Sequence, residues 1–352
     1  MPSSIPLAES NDDLRKAFSE LGFVTESGHM IPVLRQARKA ATVSDVTVLI
    51  EGETGTGKQI LARAIHNLDQ KRGSFPFVTA HCSTISESIA ESELFGHRRG
   101  AFTGAFADRL GLFQAAQRGT LFLDDVNDLP MIVQPKLLDV IQRGVLRPIG
   151  SDKELPVDVR IVAACNRPLG PLVSQNRFRS DLYHRLNVIC LKLPPLRERP
   201  QDLESLVLTF ARRYRHIYEP IDGIASDLLQ FLQTLSFAGN VRELENSVLR
   251  MLFEKRRGTS LNLEDWVAQA GDTPCDDGKD PVWEAGERLW QAISTQKLPF
   301  AAAINLLEKQ ILEIALRDGG ATRRDVASRL QTSERTLYHK IRAYRLSERS
   351  RV

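Results

Sequence analysis

The residues of this chain best suited to chemistry form a phosphate cradle and a pair of adjoining acids. The cradle is GETGTGK, running from Gly52 through Glu53, Thr54, Gly55, Thr56 and Gly57 to Lys58. A glycine-rich loop between a strand and a helix turns successive backbone N–H groups toward phosphate oxygens, aided by the helix N-terminus. Gly52, Gly55 and Gly57 supply the backbone freedom, and Lys58 is placed to neutralise β- and γ-phosphates. Such loops usually follow the lysine with Ser or Thr, which meets Mg²⁺; here the residue is Gln59. Further along, LFLDD ends an apolar run in Asp124 and Asp125. Two adjacent carboxylates at a strand end are costly unless they hold a metal or a water. Cradle and acids together imply nucleoside triphosphate chemistry.

Positioning these groups requires an α/β scaffold. Asp45 to Gly52 (DVTVLIEG), Phe75 to Cys82, Gly119 to Val126 and Val157 to Asn166 are β-rich runs that read as strands. Gly57 to Leu68 has helical spacing in Ile60, Leu61, Ala64, Ile65 and Leu68. Strands alternating with helices imply a parallel sheet covered by helices. From Pro200 the pattern is helical, and GDTPCDDGKDP reads as a linker. The expected organisation is a short N-terminal arm over 1–21, an α/β domain over 22–195 and a small helical lid over 196–257. A linker over 258–299 and an all-α module over 300–352 follow. The arm is expected to be disordered or to form one helical turn.

Composition narrows the class. The 352 residues are 42% hydrophobic and 26% charged, as in ordinary globular proteins. No apolar run is long enough to span a bilayer, and MPSSIPLAESNDD is not an export signal. A cytoplasmic protein with no membrane partner is expected. Cys82, Cys165, Cys190 and Cys275 form no CxxC pair, so neither a disulfide nor a zinc site is expected. The net charge of +3 is unevenly spread: Gly319 to Val352 carries nine basic and three acidic residues. A basic module on a mildly acidic body points to nucleic acid.

Between cradle and acids lies Gly100-Ala101-Phe102-Thr103-Gly104-Ala105. Two glycines, two alanines, a threonine and a phenylalanine make a poor core segment. They suit a mobile loop whose Phe102 anchors in a partner's pocket, or else an ordinary glycine-rich turn. In its context this hexapeptide resembles the loop with which bacterial sigma-54-dependent transcription activators grip sigma-54. The resemblance runs from about Gly22 to Arg257 and resumes from about Ala301 to Leu346. It implies an AAA+ ATPase with a helical lid, using ATP and Mg²⁺, in which Asp124 orients the metal.

The family departs from the generic loop with Glu after the lysine, and Gln59 departs a little further. The residue after the metal-orienting Asp is normally a Glu that polarises water; here it is Asp125, one methylene shorter. The Asn that restrains this Glu is matched by His81. The two changes together imply either compensation or a weakened ATPase. Asn166 matches the γ-phosphate sensor, and Arg242, in GNVRELEN, the lid sensor. In RFRSDLYHRLNV, Arg179 and Arg185 match the fingers that reach a neighbouring subunit's nucleotide, which implies a ring, expected to be a hexamer.

In TRRDVASRLQTSERTLYHKIRAYRL, Thr322 and Ser333 can cap two helices. Val326, Ala327, Leu330, Leu337 and Ile341 face inward, a helix-turn-helix pattern similar to the Fis-type domain of these activators. Arg335, Thr336, His339 and Arg342 then face a major groove. The expected partners are sigma-54 RNA polymerase holoenzyme, upstream promoter DNA and copies of this chain. Only about twenty residues precede the ATPase, so a trans-acting regulator or second activator is expected to control it. The rival readings are a catalytically attenuated DNA-binding subunit working with a partner activator, and a relative that does not touch sigma-54.

Overall fold

The computed structural model describes residues 10–215, 220–255 and 258–266, with scattered positions between 308 and 344. The chain divides into two compact units, Met1–Cys275 and Asp276–Val352.

In the first unit, alternation of side chains along short apolar runs builds a sheet buried on both faces. Its strands are β1 (Val48–Glu51), β2 (Phe77–His81), β3 (Thr120–Asp124), β4 (Arg160–Cys165) and β5 (Ile189–Lys192). They pair in parallel in the order β2-β3-β4-β1-β5. Val48 and Ile50 enter one core cluster while Leu49 enters the other. Phe122 is likewise separated from Leu121 and Leu123, as the two-residue period of a strand demands. The first four strands fall within the expected runs. β5, from the segment NVICLKL, was not expected; within it only Leu191 is buried, between half-buried Cys190 and exposed Lys192, and the signal is weak.

Helices cover the sheet. They are α1 (Asn11–Glu20), α2 (Met30–Ala41), α3 (Lys58–Leu68), α4 (Glu87–Phe95), the single turn α5 (Leu112–Ala115), α6 (Gln134–Arg143), α7 (Leu169–Ser174) and α8 (Ser180–Leu186). α1 corrects the expectation of a polar arm over 1–21. Ser10 caps it, its hydroxyl accepting from the Asp13 N–H at 3.1 Å. Leu14 and Phe18 lie four apart on one face and are buried with Phe23 and Leu34.

The lid contains α9 (Asp202–Arg213), α10 (Ser226–Thr234) and α11 (Asn240–Glu254), packed through Val207, Phe210, Leu228, Leu232, Leu244 and Val248. It extends past the expected boundary at 257. Ser260 and Leu261 pair in parallel with Gly223 and Ile224, Leu261 is fully buried, and the Lys255 ammonium donates to Asp265 at 2.7 Å. The apolar Leu261 holds this stretch to the lid, so the linker begins later than the composition implied.

In the second unit, Leu312, Val326, Ala327, Leu337 and Ile341 form one buried cluster. Four of these are residues the sequence pattern directs inward; Leu330 lies outside the described residues. Among the described residues no helix is long and apolar enough to cross a membrane.

Candidate nucleotide site and contact loop

The parallel register brings β-strand C-termini to one edge, where glycine turns and acids collect. Gly57, at φ +102°, opens α3, so the cradle wraps the N-terminus of that helix. The Lys58 ammonium, nearly buried, donates to the carbonyls of Gly52 at 2.7 Å and Glu53 at 2.9 Å. Burial pulls its pKa down, opposed by the charges of Asp125 and Asp124 and aided by Arg242. Both acids and Arg242 therefore lie close enough to Lys58 to act on its charge. Gln59 is exposed.

Asp124 is the last residue of β3 and pairs in register with His81 at the end of β2. His81 Nδ1 lies 3.4 Å from Asp124 Oδ2. Asp125 departs into the left-handed region, at φ +52°. There its carboxylate accepts from Asn166 Nδ2 at 3.1 Å. Burial, then the charge of Asp124, pushes the Asp125 pKa up. The nearest carboxylate to His81 is thus that of Asp124, while Asn166 holds Asp125, which also feels the charge of His81.

The lid closes over the cradle through backbone contact. Val241 N–H donates to the Gly55 carbonyl at 3.0 Å, and a Cβ on Gly55 would lie 2.1 Å from the Gly239 carbonyl oxygen. Arg242 follows on the first turn of α11. The Glu53 side chain takes part in this closure. Arg197 donates to it twice, at 2.9 and 2.7 Å, and holds its carboxyl below the usual range with help from Asn240.

The hexapeptide forms a closed turn on a two-residue stem. His97 and Arg109 exchange backbone hydrogen bonds at 3.0 and 2.9 Å, and Arg98 pairs with Asp108. Gly100 (φ +81°) donates to the Ala105 carbonyl at 2.8 Å, and Gly104 stands at φ +104°. Ala105 is buried; Phe102 and Thr103 are exposed. The Phe102 ring meets His97 edge-on with centroids 4.9 Å apart, and His97 Nδ1 is 2.6 Å from Ser92 Oγ. The turn at Ile149–Gly150 supports the loop: Arg98 N–H donates to Ile149 at 3.0 Å, and Gly150 abuts Ala101.

A model of the Sigma-54 interaction domain matches residues 23–192, and one of the AAA+ ATPase lid domain matches 197–273. The regulatory protein AtoC of Escherichia coli K12 is 38% identical over 326 residues, covering 91% of this chain and 67% of AtoC. The chain belongs to the sigma-54-dependent transcriptional activators. The E. coli K12 activator HyfR is 46% identical over 269 residues, covering 75% of this chain and 40% of HyfR. The chain thus spans about two fifths of HyfR. NtrX from Brucella abortus in complex with ADP has a TM-score of 0.65 at 28% identity, covering 95% of this activator and 71% of NtrX.

The arginines expected to act in trans have local partners in this chain. Arg179 pairs with Asp181 at 2.7 Å, and Arg185 donates to the Ile141 carbonyl at 3.4 Å. Both are exposed. Of the expected DNA-facing residues, Arg342 is helical and exposed; Arg335, Thr336 and His339 lie outside the described residues. Among the described residues no cluster of three His, Cys, Asp or Glu could hold a metal, and Cys82, Cys165 and Cys190 are free.

Sequence reasoning missed three residues of the activator's lid junction. Asp202 is fully buried and accepts from the Thr25 hydroxyl and the Glu26 and Ser27 amides at 2.7–2.9 Å. Arg199, also buried, donates to the Thr56 carbonyl at 3.4 Å. Arg197 grips Glu53. The run LRERPQD reads locally as a charged helix start, and no local pattern shows that its charges turn inward.

Proposed function

We propose that this activator binds ATP with Mg²⁺ and hydrolyses it in a cytoplasmic ring, a hexamer, on DNA upstream of a promoter. Its contact loop transmits the cycle to sigma-54 RNA polymerase holoenzyme and opens the DNA. The observation that carries the reading is one α/β unit with two features. Lys58, Asp124, Asp125, Asn166 and Arg242 gather around a helix N-terminus. The same unit displays Phe102 and Thr103 on a strapped turn.

The donor set suits the metal. Mg²⁺ favours one or two carboxylates together with phosphate oxygens, and Asp124 presents an oxygen at the strand end beside Lys58 and Asp125. Asp124 would hold Mg²⁺ there, and the metal would supply neutralisation of phosphate charge. The cradle amides and Lys58 hold the β- and γ-phosphates. Asp125, oriented by Asn166, accepts the proton of the attacking water. Arg179 and Arg185, both exposed, exchange their present partners Asp181 and the Ile141 carbonyl for phosphoryl charge in the next subunit. In the C-terminal module, Arg342 with Arg335, Thr336 and His339 contacts DNA. The activator names of the relatives do not favour an attenuated, partner-dependent subunit.

Thr103→Ala tests the division of labour. It should abolish open-complex formation at a sigma-54 promoter while ATP turnover stays within about twofold of the parent, because Thr103 lies outside the phosphate site. Equal loss of both would overturn the contact assignment.

A further inference from the structure

Glu53 sits inside the phosphate cradle, yet its side chain belongs to the lid. Arg197 meets it with both terminal nitrogens, Nη1 at 2.9 Å and Nη2 at 2.7 Å, the forked geometry of a guanidinium on a carboxylate. The third donor is Asn240, which is fully buried and stands at φ +54° at the start of α11. Its Nδ2 donates to Glu53 Oε2 at 3.2 Å and to the Thr54 carbonyl at 3.0 Å. Its Oδ1 accepts from the Leu196 N–H at 2.8 Å. One amide side chain thus ties the cradle, the segment entering the lid and the last lid helix together.

An exposed ion pair contributes little to folding stability, and the Glu53 and Arg197 side chains are 42% and 47% exposed. Stability is therefore a poor explanation for this arrangement. Geometry is a better one. Asn240 lies two residues before Arg242 on the first turn of α11, and Val241 between them donates to the Gly55 carbonyl. A shift of Asn240 relative to Glu53 carries Arg242 with it. Left-handed backbone at a non-glycine residue persists only where surrounding contacts enforce it, and at Asn240 these contacts include the cradle.

We propose that Glu53, Arg197 and Asn240 form a latch that fixes the lid on the cradle and so positions Arg242 over the bound phosphates. In this role Glu53 and Arg197 are positioning residues that touch no nucleotide. The latch rests on the ATP-binding reading of the cradle and adds to it a route by which phosphate occupancy changes the set of the lid. Pulling the cradle toward a phosphate strains the latch, and an opened latch weakens phosphate binding in return, since coupling between sites is reciprocal.

The test uses the full chain with Glu53→Gln, Arg197→Ala, Arg197→Lys and the Glu53→Gln/Arg197→Ala double variant. The readouts are Kd for fluorescent ADP and KM for ATP, with thermal melting as a folding check. Kd and KM should rise about fivefold or more in each of Glu53→Gln and Arg197→Ala, the lower range of coupling between sites. The double variant should be no worse than the weaker-binding single, because both open one contact. Arg197→Lys should recover part of the loss. Melting temperatures should stay within about 4 °C. Parental ADP affinity in the single variants, or losses that add in the double, would overturn the latch. A parent chain that binds no ADP would instead overturn the nucleotide site and the latch with it.

Discussion

Asn166 donates its side-chain amide to the Asp125 carboxylate at 3.1 Å. The contact crosses from the end of β4 to the residue just past β3, and a left-handed turn at Asp125 makes it possible. That conformation costs of order 1 kcal/mol for a non-glycine residue. It swings the shorter acid toward β4, while Asp124 stays in register with His81. The residues proposed as phosphate sensor and water-polarising acid are thereby linked directly.

Removing the link should impair chemistry more than binding. Asn166→Ala leaves Asp125 without its orienting donor, and misplacement of a reacting group by about 1 Å costs roughly 100-fold in rate. Steady-state ATP turnover should fall by about 10- to 100-fold while ADP affinity changes less. Turnover equal to the parent would show that Asp125 is held by other means.

Gly150 gives a way to disturb the Gly100–Ala105 turn without substituting any residue in it. It stands at φ +73°, and a Cβ there would lie 2.7 Å from Ala101 Cβ and 3.0 Å from its Cα. Gly150→Ala should displace the turn that carries Phe102. Open-complex formation should fall at least about tenfold, with ATP turnover within about twofold of the parent. Unchanged open-complex formation would mean that the Ile149 turn does not set the loop.

Asp69 links stability to pH. Its side chain and that of Arg160 are fully buried and paired at 2.7 Å. Burial would raise the Asp69 pKa, but hydrogen bonds from Ser44 and Arg160 outweigh it and hold the value below the ordinary 3.8. A depressed folded pKa contributes stability that is full above the unfolded value and lost as pH falls through the folded one. Asp69→Asn should therefore lose about 3–5 kcal/mol near neutral pH, the usual cost of leaving a buried partner charge unpaired. The gap in melting temperature should be constant from about pH 5 to 8 and shrink below about pH 4. A gap that persists at low pH would assign the loss to packing.

Thiol labelling tests the core. Burial pushes the Cys82 and Cys165 thiols up to about 12. A thiolate-selective reagent at pH 8 should leave both unmodified in the native protein and label them on unfolding. Native labelling of either would mean that the sheet edge opens.

The sequence by itself determined the residue patterns of the candidate site and most of the scaffold. GETGTGK, the paired acids and the GAFTGA hexapeptide are local patterns whose backbone demands are met within a few residues. Strands β1 to β4 and helix α3 follow from periodicity alone. Tertiary structure decided which groups meet. The sequence left open whether His81 compensates for the shorter Asp125, and the parallel register set His81 beside Asp124. Glu53 reads as part of a phosphate loop, and only the return of the chain at Arg197 and Asn240 turns it toward the lid. α1 was hidden because two apolar residues in a polar stretch become a helix face only once a core exists to bury them. β5 was hidden because a sheet, rather than its own composition, completes its hydrogen bonds. Short-range pattern fixes what each residue can do, whereas contacts between distant segments depend on register and burial that no local window contains.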